Sequence, residues 1–159
     1  MQPFPHHYTV AAKGSTGGDV ELTAERLSTL RSASPAEFGG PGDRWSPETL
    51  LVGAIGDCFI LTFRGIARAS GVAWTSLGCS VTGTLDRLER TTRFVTFEIR
   101  AHLEVAAGTD VERAKVALEK AERNCLISNS LSGAVHLIPT IEVAEKSADL
   151  MPEATLTLR

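Results

Sequence analysis

The stretch that decides the fold is SPETLLVGAIGDCFILTFRGIARASG, residues 46–71. Ser46 can cap a helix that has Pro47 at its first position. Glu48 then lies in the first turn, where an acidic group interacts favourably with the positive end of the helix dipole. The sequence therefore predicts a helix from about Pro47 to Ala69, ended by the Ser-Gly pair that follows.

Apolar residues occupy nearly every face of this predicted helix. A helix of this kind is buried on most sides. Asp57, Arg64 and Arg68 interrupt the apolar run and would be costly in lipid, so we expect no membrane span. One stripe recurs at three- and four-residue steps and comprises Leu51, Ala54, Ile55, Cys58, Leu61, Thr62 and Gly65.

Short extended segments and a long loop precede the helix. Weak alternation at Tyr8–Lys13, Asp19–Thr23 and Leu27–Arg31 predicts three short strands in a meander. Ser34–Pro47 contains too many glycines and prolines for a regular element. We expect it to form a long loop that leads into the helix.

The chain after the helix alternates between strand and helix patterns. The order of elements predicts an α+β protein with a mainly antiparallel sheet. Thr109 or Asp110 can cap the second helix. The expected elements are a hairpin of Leu77–Leu88 and Thr92–Val105, a helix at Asp110–Ala121, a helical turn within Asn124–Leu131 and a strand at Pro139–Ala144.

Length and composition indicate an ordinary globular protein. With 159 residues, 43% of them hydrophobic, we expect a single domain over residues 1–159, with residues 1–7 and 147–159 poorly ordered. One sheet leaves the long helix partly uncovered, so dimerisation is expected to cover it.

Charge and the N-terminal sequence narrow the functional classes. The formal net charge is −3 and the 16 Lys and Arg are dispersed, so nucleic-acid binding is not expected. The first eight residues lack the basic and apolar regions of a signal peptide, which favours a cytoplasmic location.

The three cysteines, Cys58, Cys79 and Cys125, do not form a structural disulfide framework, because their number is odd and no secretion signal is found. No Cys-x-x-Cys or Cys-x-x-His pair is present, so a zinc or iron-sulfur site is not expected. Taken singly, each cysteine is explained by packing, and Cys79 has no charged neighbour.

Three segments taken together resemble the OsmC and Ohr family, which comprises osmotically inducible protein C and organic hydroperoxide resistance proteins. They are FGGPGDRWSPE at 38–48, LLVGAIGDCF at 50–59 and NCLISNS at 124–130. The family carries a Gly-rich loop, a Pro-Glu pair, a cysteine ten residues after the Glu, and a later Cys-Pro-x-Ser-Asn segment. The resemblance implies an antiparallel sheet with a long buried central helix in an intertwined homodimer.

The resemblance also implies a reaction at two cysteines. Cys58 as thiolate attacks an organic hydroperoxide and becomes a sulfenic acid, and Cys125 then closes a disulfide with it. This chemistry requires neither a metal nor a cofactor such as flavin. An external dithiol reductant, such as a lipoylated protein, regenerates the thiols.

The attacking thiol is expected to need a cation, because burial alone would raise its pKa. The family supplies an Arg positioned with the Glu, but here the turn at Gly17-Gly18 continues with an acidic residue. Arg44, four residues before Glu48, is the preferred substitute and could pair with it. Arg31 is the less favoured alternative.

Further departures concern the environment of Cys58. Asp57 would raise the pKa of the neighbouring thiol, and Leu126 replaces the family's proline. Ten residues of straight helix span about 15 Å, so Glu48 cannot touch the Cys58 of its own helix. Either the helix bends or Glu48 serves the partner subunit.

The pocket walls are expected to be apolar, which suits alkyl or lipid hydroperoxides. The residues expected to bind substrate are Trp45, Leu51, Ile55 and Phe59.

Two other functions fit the sequence. A family member without efficient peroxidase activity could bind a hydrophobic ligand or a stress-response partner. A hydrolase that uses Cys58 with a histidine base is less favoured, because no motif aligns His6, His7, His102 or His136 with the cysteine.

Overall fold

The computed structural model describes residues 2–145, and the chain divides after Ile55 into two compact units. The first unit contains a three-stranded antiparallel sheet in the order β1-β2-β3. This confirms the predicted meander, with shorter strands than expected. The strands are β1 (Ala11–Lys13), β2 (Val20–Thr23) and β3 (Leu30–Ser32).

The loop after β3 is held by a close backbone approach at Gly40. A Cβ atom at this position would lie 1.6 Å from the Ser34 carbonyl oxygen, so only glycine fits. The Gly40 N–H donates to the Pro35 carbonyl at 3.0 Å. The loop returns to β3, where the Ala33 N–H donates to the Trp45 carbonyl at 2.9 Å.

The predicted central helix, α1 (Pro47–Ser70), is present and starts at the predicted cap. The Thr49 N–H donates to the Ser46 hydroxyl at 3.2 Å, and the Ser46 N–H donates to the Thr49 hydroxyl at 2.8 Å. This reciprocal pair satisfies two backbone donors at the start of the helix. The helix begins in the first unit and continues into the second.

The second unit contains the sheet β4-β5-β6, and its third strand corrects one predicted boundary. β4 (Trp74–Leu88) and β5 (Thr91–Val105) form the predicted hairpin. β6 (Ala134–Val143) pairs parallel to β5, so this sheet is mixed. A parallel neighbour requires a long connection, which the intervening helices provide. β6 also starts at Ala134 rather than Pro139, because the alternating residues before the proline join the ladder.

Two helices connect β5 to β6. α2 (Val111–Arg123) is capped by Asp110, whose carboxylate accepts from the Arg113 N–H at 3.1 Å. Its buried residues form one stripe, and the helix packs against β6. α3 (Leu126–Asn129) is the single helical turn expected in the polar stretch.

The core of the second unit lies between α1 and the sheet. Phe63 of α1 meets Trp74 of β4 edge to face, with ring centroids 5.3 Å apart. A Cβ atom on Gly56 would lie 3.3 Å from Val81 Cγ2, so glycine permits a close approach of helix and strand. On α1 and β5 of this unit, the fully or almost fully buried apolar residues are Phe59, Phe63, Ala67, Phe97, Ile99, Ala101, Leu103 and Val105.

Much of α1 is nevertheless uncovered. By length and composition it could cross a membrane, with a mean hydropathy of 1.7 in its most apolar window, but the core helix of a soluble protein meets the same criteria. Only 28% of that window is buried, and Leu61 is 52% exposed. The expected single domain stays a prediction, and the 147–159 tail lies outside the described residues.

Candidate active site

Cys58 lies in the middle of α1 and is half-buried. Thr62 follows four residues later, on the same face of the helix. The Cys58 Sγ and Thr62 Oγ1 atoms are 3.9 Å apart, within the range for a hydrogen bond to sulfur. The first sulfur of the candidate site therefore has a hydroxyl neighbour on its own helix.

Cys125 is fully buried and caps the N-terminus of α3. Its Sγ atom accepts a hydrogen bond from the Ser128 N–H at 3.5 Å. No disulfide joins it to Cys58, and both residues are thiols. The two side chains hydrogen-bond to each other and shift each other's pKa. The structure thus brings together the two cysteines singled out in the sequence.

The pKa of Cys58 is set by opposing effects. Burial, the largest, raises the pKa of the thiol, but hydrogen bonds outweigh it, the strongest from the Ile127 N–H. Bonds from the Cys125 side chain, the Thr62 hydroxyl and the Leu126 N–H lower the pKa further, so the net shift is downward. None of these groups is a cation. The expectation that a cation is required is therefore not met in the part of the chain described.

The pKa of Cys125 moves in the opposite direction. Burial raises it first, and the neighbouring Cys58 raises it further, while hydrogen bonds from Ser128 lower it in part. A negative sulfur at Cys58 disfavours a second one beside it. Of the two thiols, Cys58 therefore ionises at the lower pH.

Cys79 has a different environment on β4. Its thiol donates to the Gly56 carbonyl at 3.8 Å, and burial raises its pKa. A protonated thiol that points at a carbonyl is a poor nucleophile. These contacts agree with its assignment to packing.

Arg44 does not form the pair expected with Glu48. Its guanidinium contacts Asp43 at 2.9 Å and Asp19 at 3.4 Å. One carboxylate oxygen of Glu48, Oε2, is buried and has no hydrogen-bond partner among the described residues. The Arg44 guanidinium is thus paired with Asp19 and Asp43 instead of Glu48, because these two carboxylates lie next to it. Arg31 pairs with Glu21 at 3.8 Å.

The four residues expected to bind substrate differ in accessibility. Ile55 and Phe59 are fully buried, Leu51 is half-buried and Trp45 is 52% exposed. Trp45 lies beside Gly53 at the start of α1. Their role in binding stays a prediction.

A depression on the second sheet includes neither Cys58 nor Cys125 in its lining. Its volume is about 350 Å³, and it is lined by Gly78, Cys79, Ser80, Arg100, Ala101, His102, Ile138 and Thr140. Arg100 pairs with Glu98 at 2.8 Å and His102 with Glu142 at 3.4 Å. We therefore place the candidate site at Cys58 and Cys125 rather than at this depression.

This chain resembles known proteins in sequence and in fold. The sequence model of a family described as OsmC-like protein matches residues 40–139. The uncharacterized protein YmaD of Bacillus subtilis (strain 168) is 27% identical over 136 residues, covering 83% of this chain and 91% of YmaD. An organic hydroperoxide resistance protein OsmC of Legionella pneumophila has 26% identity and a TM-score of 0.68, covering 87% of this chain and all of that one.

A further solved structure shares the fold at lower identity. An OsmC-like protein of unknown function from Vibrio cholerae has a TM-score of 0.79 at 14% identity, covering 86% of this chain and all of that one. The predicted α+β fold with a long central helix is confirmed. The intertwined homodimer stays a prediction.

Sequence reasoning missed the donors that lower the pKa of Cys58. Thr62 could have been found from its spacing, since residues four apart share a helix face. The N–H groups of Leu126 and Ile127 have no signature in the sequence, because every residue except proline carries one.

Proposed function

Because this chain belongs to the OsmC-like protein family, we propose that it is a thiol peroxidase that reduces organic hydroperoxides to alcohols. The observation that carries the proposal is the lowered pKa of the Cys58 thiol beside a second thiol, Cys125. The name of the Legionella relative, an organic hydroperoxide resistance protein, supports the same substrate class.

In the first step the Cys58 thiolate attacks the terminal oxygen of the hydroperoxide. An S–O bond forms and the O–O bond breaks, so the sulfur is oxidised to sulfenic acid. The alkoxide leaves and takes up a proton to become the alcohol. The N–H donors at Leu126 and Ile127 favour this step by keeping Cys58 ionised.

In the second step the Cys125 thiolate attacks the Cys58 sulfur. An S–S bond forms, the S–O bond breaks, and the departing hydroxide is protonated to water. An external dithiol, such as a lipoylated protein, then reduces the disulfide to two thiols and is itself oxidised. We place the reaction in the cytoplasm, where such reductants keep thiols reduced.

Glu48 and Arg44 are proposed as auxiliary residues in a homodimer. Glu48 and Cys58 lie on one unbroken helix, so we propose that Glu48 acts across the subunit interface. Its buried oxygen has no hydrogen-bond partner within the described part of the chain and is suited to receive a cation. Arg44 can fill this role only by leaving Asp19 and Asp43, and Arg44→Ala tests whether it does.

We propose an apolar substrate, bound by Trp45, Leu51, Ile55 and Phe59. The side chain of Trp45 offers exposed apolar surface at the start of α1. Larger alkyl hydroperoxides should therefore react faster than hydrogen peroxide.

The direct experiment counts thiols on the purified, reduced protein before and after one equivalent of cumene hydroperoxide. We expect the loss of two thiols per chain and one equivalent of alcohol. An unchanged thiol count would refute the peroxidase.

Single serine variants assign the two thiols. Cys58→Ser should abolish hydroperoxide consumption. Cys125→Ser should allow one turnover and leave a sulfenic acid that dimedone traps. Cys79→Ser, which leaves both reactive sulfurs, should behave as the parent protein.

A second candidate function is the binding of a hydrophobic ligand without turnover. The observation that favours it is the uncovered apolar surface of α1, together with the engagement of Arg44 by two aspartates. In that case an apolar ligand would bind while the thiol count stays unchanged in hydroperoxide.

A further inference from the structure

The hydroxyl of Thr62 has a specific relation to Cys58. Among the described residues, its hydrogen-bond contact is with Cys58 Sγ, at 3.9 Å. Thr62 is half-buried, so water competes only in part for this hydroxyl. A helical threonine usually bonds a carbonyl of the preceding turn, and here the hydroxyl instead has a sulfur within reach.

Ser128 has a corresponding relation to Cys125. Its N–H donates to Cys125 Sγ at 3.5 Å, and the residue is only 7% exposed. Its hydroxyl is buried and meets the geometric criteria for a hydrogen bond with none of residues 2–145. Even so, it lies close enough to Cys125 to lower the pKa of that thiol. A buried hydroxyl without a hydrogen bond lowers the stability of the folded protein, and such a group often has a role in function.

Each sulfur of the pair thus has one hydroxyl beside it, and the two hydroxyls come from different elements. We propose that Thr62 and Ser128 are positioning residues for separate steps, Thr62 for the attack by Cys58 and Ser128 for the disulfide closure by Cys125. This inference rests on the proposed peroxidase function and assigns one hydroxyl to each of its two steps.

The physical reason is that negative charge forms on the two sulfurs at different times. Cys58 must be ionised before the O–O bond breaks, whereas Cys125 must lose its proton only when it attacks the sulfenic acid. A hydrogen bond to a charged acceptor is stronger than one to a neutral acceptor. Each hydroxyl therefore contributes mainly to the step in which its own sulfur is charged.

The Thr62 part is tested with Thr62→Val, which keeps the side-chain shape but replaces the hydroxyl, and Thr62→Ser, which keeps it. Thiolate absorbance at 240 nm is titrated in a Cys79→Ser background. We expect Thr62→Val to raise the pKa of Cys58 by about one unit and to slow hydroperoxide consumption at neutral pH about tenfold. At a pH above both pKa values the rates should converge, and Thr62→Ser should restore the parent profile.

The Ser128 part is tested with Ser128→Ala, and Ser130→Ala is the matched control. The Ser130 hydroxyl is exposed and donates to the Leu126 carbonyl at 2.8 Å rather than to a sulfur. In single-turnover reactions we expect Ser128→Ala to form the Cys58 sulfenic acid at the parent rate. Dimedone should then trap it for about ten times longer. Ser130→Ala should match the parent protein in both steps.

Two results would overturn the inference. One is a Thr62→Val variant that is equally slow at every pH or has an unchanged Cys58 titration. The other is a Ser128→Ala variant with a parent-like sulfenic acid lifetime. A parent protein that forms no sulfenic acid refutes the proposed function instead, and the Cys58 titration still tests the contact with Thr62.

Discussion

The surroundings of Cys58 and Cys79 differ in the direction of their hydrogen bonds. Both thiols are half-buried, and burial raises the pKa of each. Cys58 receives N–H and hydroxyl donors, whereas Cys79 donates its own proton to the Gly56 carbonyl. The pKa of Cys58 consequently falls while that of Cys79 rises.

The difference shows that burial does not decide whether a thiol is reactive. Donors aimed at sulfur stabilise the thiolate, and an acceptor beside the thiol stabilises the protonated form. In this chain the one-turn helix α3 supplies donors to Cys58, and the close contact of α1 with β4 supplies an acceptor to Cys79. Neutral backbone groups can therefore replace part of the role expected of a cation.

The largest effect predicted by this comparison is selective alkylation. With iodoacetamide at neutral pH, Cys58 should be modified on the order of tenfold faster than Cys79 or more, because each unit of pKa changes the thiolate fraction tenfold. As the pH rises, labelling of Cys58 should increase before that of Cys79. Peptide mass spectrometry measures the two rates in one sample, and equal rates would contradict the comparison.

An intermediate effect is predicted for two glycines of α1. Gly65 is exposed, and a methyl group on its Cα would meet open space, so Gly65→Ala should raise the free energy of unfolding by about 1 kcal/mol. In Gly56→Ala the new methyl group would lie 3.3 Å from Val81 Cγ2 and 3.4 Å from Cys79 Sγ. We expect this variant to lose about 1 kcal/mol in urea unfolding.

The two glycine variants also test the difference between Cys58 and Cys79. The methyl group of Gly56→Ala would contact Cys79 and none of the donors of Cys58. Alkylation of Cys58 should therefore keep its parent rate. A Gly56→Ala protein as stable as Gly65→Ala would show that the contact between α1 and β4 is looser than its distances indicate.

The smallest effect is predicted for Cys79→Ser. The serine hydroxyl can still donate to the Gly56 carbonyl, so the free energy of unfolding should fall by less than about 1 kcal/mol. Urea denaturation at fixed pH measures this change. A much larger loss would mean that the sulfur fills a tighter space than half-burial suggests.

The fold could be predicted best where the signals are local. Ser46, Pro47 and Glu48 mark the start of α1 because capping depends on adjacent residues. The direction of β6 could not be predicted, since it depends on how α2 and α3 carry the chain back to the sheet. Because a proline is typical of the first residue of a strand, the sequence predicts that β6 starts at Pro139. This prediction was wrong. Pro139 and the residues before it pair with β5 instead.

The candidate site could be predicted only in part. Cys58 and Cys125 were found through the resemblance of several segments, and the structure brings them together. The donors at Leu126 and Ile127 could not be found, because backbone groups acquire a direction only in the folded chain. Sequence spacing predicts an ion pair between Arg44 and Glu48, four residues later. It cannot reveal that Asp19, the residue just before β2, lies close to Arg44 in the folded chain and pairs with it instead.

Through the uncovered apolar surface of α1, the proposed homodimer links the stability of the protein to its concentration. If a second copy covers that surface, mass action favours the folded, assembled form as the solution becomes more concentrated. The thermal midpoint should then shift upward between dilute and concentrated samples. Variants can be ranked by stability only when they are measured at one common molarity.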